Sequence, residues 1–355
     1  MPVDRRQVLC MTSASLGLCG INQLASKEVK KPIKIGQIGV GHGHASKLSV
    51  YRDSPDFEVV GIVEPDPTLR KRAEGQPFCR GLNWMKREQL LETPGLQAVL
   101  IETRVSELLE NAKACVLAGK HIHIDKPAGE SLLQLRQILD IANQSGLLVQ
   151  MGYMYRYNPA IILLHEFLKK GWLGDVFEVH CVMSKVVHPE ARLELAGFNG
   201  GMMFELGCHL MDLVIRILGR PSAVMGFHRH SASIADSLLD NTMAVLEYPK
   251  AVATIKSTAL EVEGFNRRHL VVCGTEGTFH IQPLDNPVVQ LSLSKDRGPH
   301  KQGTHVIQLP QYARYVADAV DMAKVIRGEK LSDFDREHDM LVQETLFQAC
   351  GRAKE

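Results

Sequence analysis

Apolar and polar positions along this chain change rhythm near residue 152. The alternation Ile33, Ile35, Gln37, Ile38 reads as a buried strand. A glycine-rich turn follows at 39–45, and 45–51 reads as the start of a helix. Further apolar strands are predicted at 57–63, 98–101, 121–124 and 147–151. Helical patterns lie between them at 107–118, with Gly119 as C-cap, and at 131–143, stopped near Gly146. Strands alternating with helices predict a parallel sheet covered on both faces.

Beyond Gly152 the strands crowd together. Helical patterns at 159–170 and 200–218 flank a long strand at 176–187. Strand patterns follow at 223–227, 242–248, 251–258, 269–273, 278–281 and 288–293. The turn signals Tyr248-Pro249-Lys250 and Gly274-Thr275-Glu276-Gly277 predict antiparallel hairpins. The expectation is an α+β domain with one large, open, mostly antiparallel sheet. Two last helices are predicted at 311–327 and 335–354.

The first turn carries the first chemistry. Gly39, Gly41 and Gly43 sit between a strand and a helix, where backbone N–H groups and the helix N-terminus cradle a pyrophosphate. The strand 57–63 ends on Glu64, within the roughly 20-residue separation expected of the acid that holds the ribose hydroxyls of NAD. That acid repels a 2′-phosphate, so NAD is favoured over NADP. The third glycine of G-x-G-x-x-G is replaced by His44, read here as a structural helix cap, with a contact to the cofactor or the substrate mouth as the alternative. These signals make 31–152 a Rossmann dinucleotide-binding domain, followed by the α+β domain at 153–309 and closing helices at 310–355.

Composition narrows the function classes. The chain has 355 residues, net charge +1, 45% hydrophobic and 23% charged residues, enough for two folded domains. Near-neutral charge gives no footing for nucleic acid or for a polybasic membrane contact. Eight cysteines are scattered with no C-x-x-C pair and no zinc spacing, so buried thiols and no metal are expected. Arg5-Arg6 precedes a mild apolar run at 8–24 and resembles a twin-arginine export signal, with a disordered tail as the alternative for 1–30. The run is too short and too weakly apolar for a membrane span. A used signal predicts a periplasmic or secreted protein; an unused one, a cytoplasmic protein.

Three further positions stand out. Asp125-Lys126-Pro127 follows a strand end, the side of an open α/β sheet where ligands sit, and Lys126 is the only cation of that loop. Glu205, His209, Asp212 and Arg216 recur at i, i+4, i+7 and i+11 and form one stripe on a helix. Such a stripe is ordinarily a solvated face; the diglycine Gly200-Gly201 ahead of it favours a cleft. Lys185, His188 and Asn199 flank the helix as weaker candidates for substrate hydroxyls, and His121/His123 read as packing.

The segments GVGHGHA, Glu64-Pro65-Asp66, AGKHIHIDKP, GYMYRYNPA and GGMMFELGCHLMD, in this order, resemble the Gfo/Idh/MocA family, which includes glucose–fructose oxidoreductase and inositol dehydrogenase. The resemblance implies a Rossmann domain for NAD or NADP and a second domain whose open sheet serves oligomer contacts. It also implies a sugar, polyol or close relative as substrate. Carried over by position, it makes Lys126 the active-site lysine and His209 the acid/base. It puts Glu205 where the family has Asp, and Arg156 near cofactor and substrate. Thr103-Arg104-Val105 stands where the family has Thr-Pro-Asn, leaving Thr103 as the cofactor contact. Hydride would pass to the nicotinamide while His209 takes the hydroxyl proton and Lys126 stabilises the oxygen. Three functions fit: a sugar or polyol oxidoreductase, a redox-neutral glycoside-cleaving or epimerising enzyme with tightly held NAD, and a non-catalytic NAD-binding regulator.

Overall fold

Six parallel strands build the first sheet: β1 (Ile33–Ile38), β2 (Phe57–Val63), β3 (Trp84–Met85), β4 (Leu96–Ile101), β5 (His121–Ile124) and β6 (Val149–Met151). Their spatial order is β3-β2-β1-β4-β5-β6, the Rossmann order. β1 and β4 are buried along nearly their whole length, as strands covered on both faces must be. Each fully buried Ile or Leu contributes about 1.5–3 kcal/mol. The strand order reverses between β1 and β4, which opens a crevice at the strands' C-terminal ends. These coordinates are a computed structural model that describes residues 30–352. The Arg5-Arg6 reading lies outside the described residues.

The second sheet holds β7 (Val176–Val182), β8 (Ala223–Arg229), β9 (Asn241–Glu247), β10 (Val252–Thr258), β11 (His269–Gly274), β12 (Gly277–Ile281), β13 (Val289–Leu293) and β14 (Gly303–Ile307). Their order is β14-β13-β12-β11-β7-β10-β9-β8. β7 and β10 run parallel, and the other neighbours are antiparallel. One face is packed, with Thr242, Ala244 and Leu246 of β9 buried. The other is open, with Met225, Phe227 and Met243 exposed.

Several boundaries differ from expectation. The helix after the glycine turn opens with a 3-10 turn at Ala45–Lys47 before the α-helix Leu48–Asp53. His44 makes no side-chain cap bond there, because its ring turns to Asp125 instead. β7 stops at Val182, and 183–187 run on as irregular chain held by Lys185 N–H to the Thr258 carbonyl. The strand β14 and the two-residue β3 were not predicted; Gly303-Thr304-His305 offers no apolar alternation. The C-terminal helices do not form a layer of their own. Val316–Ile326 sinks Ala319, Met322 and Ala323 into the Rossmann core beside Ile33, Ile35 and Leu100. Arg336–Ala349 instead packs against the helix Cys208–Leu218. Among the described residues no helix is long and apolar enough to cross a membrane.

Candidate active site

Three loops meet at the C-terminal ends of the parallel strands. The first is the glycine turn. Gly39 has φ +92°, and a Cβ there would lie 2.5 Å from the Thr103 backbone nitrogen, so only glycine fits. Thr103 is buried beneath the turn, with its hydroxyl on the Arg104 carbonyl. Gly43 faces open space, with nothing within 4 Å of an added Cβ. Glu64 accepts the Val40 and Asp66 N–H groups, each at 2.9 Å, and so shapes the turn from β2. Beside it opens a cavity of about 830 Å³ lined by Glu64, Arg70, Trp84 and Thr103 among others. A close backbone approach, an open glycine and an acid beside a cavity of ligand size fit a dinucleotide.

Under this turn lies a buried charge cluster. Asp125 follows β5 and is fully buried. The Lys47 ammonium sits 2.6 Å from Asp125 Oδ2, 3.0 Å from Glu102 Oε1 and 2.8 Å from His123 Nε2. His44 Nδ1 is 3.1 Å from Asp125 Oδ1, and His42 Nε2 lies 2.9 Å from the Lys126 carbonyl oxygen. Burial opposes charge on Lys47, but Asp125 and Glu102 hold its affinity for the proton above the ordinary range. Burial and Asp125 push Glu102 well above the usual carboxylate range. Asp125 is pulled well below it by His42 and Lys47, against its own burial. Burial holds His44 at about 4 and, together with Lys47, His123 at about 3. At neutral pH the cluster therefore centres on a Lys47–Asp125 ion pair, with His44 and His123 neutral beside it. The packing reading of His123 is corrected: it is a polar member of this cluster, and its Nδ1 meets Gln150 at 3.0 Å.

The third loop precedes the helix Cys208–Leu218. Gly200 and Gly201 have φ +102° and +50°, and a Cβ on either would strike Cys350 or the Leu239 carbonyl at 2.3 Å. The predicted continuous helix begins with a π-helical turn, Met203–Gly207. Such turns widen the backbone spiral, often at functional sites. Here the Glu205 carbonyl oxygen and carboxylate both accept from Lys126 Nζ at 2.9 Å. Burial opposes both charges, yet each partner stabilises the other: Lys126 is raised and Glu205 lowered.

His209 lies one turn further on, buried between Tyr153, Tyr155 and His44, with ring centres 6.2, 5.9 and 6.2 Å away. Its Nδ1 has no hydrogen-bond partner among the described residues. Burial, then the charge of Lys126, push it well below the ordinary imidazole range. A neutral imidazole therefore stands beside a charged ammonium at the mouth of the nucleotide turn.

Arg156 is tied up in a buried ion-pair network. It is buried, doubly bonded to Asp212 (Nη2 to Oδ1, 2.6 Å), bonded to Asp339 at 2.6 Å and stacked on Phe334. Its Nε and Nη2 are committed to these acids, which corrects the substrate-binding reading; Asp212 leaves the candidate stripe with it. Lys185 is half-buried and feels the charges of Glu205, Lys126 and Arg268. Asn199 and His188 are exposed, and no hydrogen bond among the described residues ties either to Lys126, Glu205 or His209.

Among the described residues, the three His/carboxylate groupings with metal-like spacing each contain a carboxylate already paired with a protein cation: Asp125 with Lys47 in two of them, Asp212 and Asp339 with Arg156 in the third. Lys47, Tyr155, Asp285 and Tyr315 were missed. Tyr315 adopts φ +69°, rare for a bulky residue, and its ring lies 5.8 Å from His44 and 5.0 Å from the Lys47 ammonium. Glu102 had a signal: an acid directly after an apolar strand, on the ligand side of the sheet.

A Rossmann sheet with a fitted nucleotide turn and Lys126 at a strand end, joined to an open-sheet domain that lends Glu205 and a neutral histidine, defines an NAD-binding oxidoreductase class. The chain belongs to the Gfo/Idh/MocA family: residues 33–153 match the oxidoreductase-family NAD-binding Rossmann model and 161–280 the GFO/IDH/MocA C-terminal domain. It is 25% identical over 269 residues to the uncharacterized oxidoreductase YhhX of Escherichia coli, covering 76% of each chain. It is 24% identical over 211 residues to the NADP(+) scyllo-inositol 2-dehydrogenase IolW of Bacillus subtilis, covering 58% of this chain and 57% of that one. In fold it matches a levoglucosan dehydrogenase solved with NADH and levoglucosan, at TM-score 0.76 and 18% identity, covering 90% of this chain and 98% of that one.

Proposed function

We propose that this protein is an NAD-dependent oxidoreductase that moves hydride to or from a CH–OH carbon of a sugar or polyol. The observation that carries the reading is the unpartnered, neutral His209 beside the Lys126–Glu205 pair at the nucleotide turn. Bound NAD supplies the hydride acceptor. His209 takes the hydroxyl proton as hydride leaves the same carbon. Lys126 donates to the substrate oxygen and stabilises the charge that develops there. Glu205 keeps Lys126 charged and aimed. Dehydrogenases of a sugar and of an inositol among the similar proteins support this substrate class. A panel of sugars and polyols with NAD, read as NADH absorbance, tests it; absence of NADH with every member, both free and enzyme-bound, contradicts it.

Two parts of the reading rest on separate observations. The exposed Met225, Phe227 and Met243 on the open sheet face support a homo-oligomer built through that sheet. Phe227→Asp is then expected to lower the mass measured by light scattering. Arg5-Arg6 supports export through the twin-arginine route. An exported enzyme needs NAD held tightly and restored on the protein, which favours a redox-neutral cycle. Near-stoichiometric NAD after dialysis, with no NADH released during turnover, is the expected result in that case.

A further inference from the structure

We propose that the substrate is an anionic sugar whose carboxylate or phosphate is met by Lys185 and by the Arg268–Asp285–Arg314 group. The proposal takes the position of the substrate from the oxidoreductase reading above and adds the chemical class.

The charges around His209 do not balance. Tyr155, whose ring lies 5.9 Å from that of His209, has its hydroxyl 3.5 Å from Asp285. Asp285 is a single carboxylate shared by two arginines, Arg268 at 3.0 Å and Arg314. Arg268 Nε also reaches the Ser184 carbonyl at 3.3 Å, which sets it beside Lys185. Lys126 is matched by Glu205. Lys185 makes no ion pair among the described residues. The site thus holds four cations against two carboxylates, an excess of two positive charges. Behind the site, Lys47 is paired with Asp125.

The excess is costly in the free protein. Burial lowers the proton affinity of Lys185, and the cations Lys126 and Arg268 lower it further against the pull of Glu205. Sugar hydroxyls relieve this weakly. A carboxylate offsets one of the two charges and a phosphate close to both, through charge-assisted hydrogen bonds roughly twice as strong as neutral ones. The side chain best suited to neutral hydroxyls in this loop, Asn199, is exposed in a turn and contributes no bond to the site. The chain therefore places unpaired cations where a binder of neutral sugars would need amides and carboxylates.

The test compares matched ligands on the full chain loaded with NADH for binding and NAD for turnover. D-gluconate, D-glucuronate and D-glucose 6-phosphate are set against D-glucose and myo-inositol. Binding is read by calorimetry, turnover by NADH absorbance. At least one anion is expected to bind about tenfold or more tighter than its neutral counterpart, with the advantage shrinking as salt is raised. The two acids against the phosphate ester identify which anion is meant. Lys185→Met is expected to raise KM for the preferred anion about tenfold with a much smaller change in kcat, and Lys185→Arg to restore most of it. Neutral sugars binding as tightly as the anions, or an anion preference unmoved by Lys185→Met, overturns the proposal. Anions that bind in a Lys185-dependent way without any NADH formed support the substrate class while refuting the oxidoreductase reading. A neutral sugar oxidised in preference to every anion does the reverse.

Discussion

Two clusters share one helical stripe and end in opposite states. Glu205 and His209 face Lys126, while Asp212, less than one turn on, faces Arg156. Around Asp212 the partners close on each other: Arg156 bonds Asp212 and Asp339, and His338 Nε2 adds a contact at 2.9 Å. Around His209 they do not, since Nδ1 stays unpartnered. A buried polar atom without a partner costs about 1–3 kcal/mol. The first cluster is built for stability and the second keeps a group free for chemistry. The shared helical periodicity conceals this, because the outcome depends on what the rest of the fold brings opposite each residue.

The sharpest way to break the comparison is His209→Ala. Turnover is expected to fall roughly 10²–10⁴-fold, the range for a lost general base. Calorimetric affinity for NAD and the midpoint of urea unfolding are expected to change little. If turnover survives, the open cluster is no more chemical than the closed one.

Asp212→Ala tests the other side. It leaves the buried Arg156 guanidinium short of a partner and is expected to cost about 3–5 kcal/mol in urea unfolding. The folded fraction is expected to keep its specific activity. A large loss of kcat in fully folded D212A would move this cluster into the chemistry.

Acid sharpens the difference by degrees. Asp212 is held at about 2, by Arg156 and His338 against its burial, below the ordinary carboxylate value. Its stabilisation is present above about pH 4 and is lost as pH falls from there towards 2. His209 is held neutral, so its contribution is complete above about pH 6.5; below that the unfolded chain gains a proton that the folded chain resists. Unfolding followed from pH 7 to 3 is expected to show a shallow loss below 6.5 and a steeper one below 4. The kcat/KM for oxidation is expected to stay level between about pH 6 and 8, since the base is already in its working form.

The smallest effect is expected at the cofactor end. Glu64→Ala removes a charge that favours ribose hydroxyls over a 2′-phosphate, and the NAD over NADP preference is expected to narrow about tenfold. Equal affinities in the unmutated protein would remove the basis for this role.

The sequence carried most of the architecture. Apolar runs with glycine stops marked the Rossmann strands, and the break in rhythm at Gly152 separated the two sheets. Lys126, Glu205 and His209 were legible through their motifs, and the structure brings Lys126 to Glu205 from 79 residues away. Partners were not legible. Arg156 was assigned from its motif, but its role follows from Asp339, 183 residues away. Lys47 carries no signal in the sequence, and only the folded strand ends bring Asp125, Glu102 and His123 around it. The π-helical turn and the left-handed Tyr315 have no spacing signature, because tertiary packing imposes them.

The central claim is that a buried, neutral His209 receives the hydroxyl proton while hydride leaves the same carbon. Single-turnover NADH formation tests it most directly, comparing the unmutated protein with His209→Gln, both saturated with NAD, on the best substrate from the sugar panel. The account predicts a rate about two or more orders of magnitude lower in H209Q, loss of the acidic limb of its pH profile, and unchanged NAD affinity. An H209Q rate within about threefold of the unmutated protein, with the same acidic limb, would contradict it.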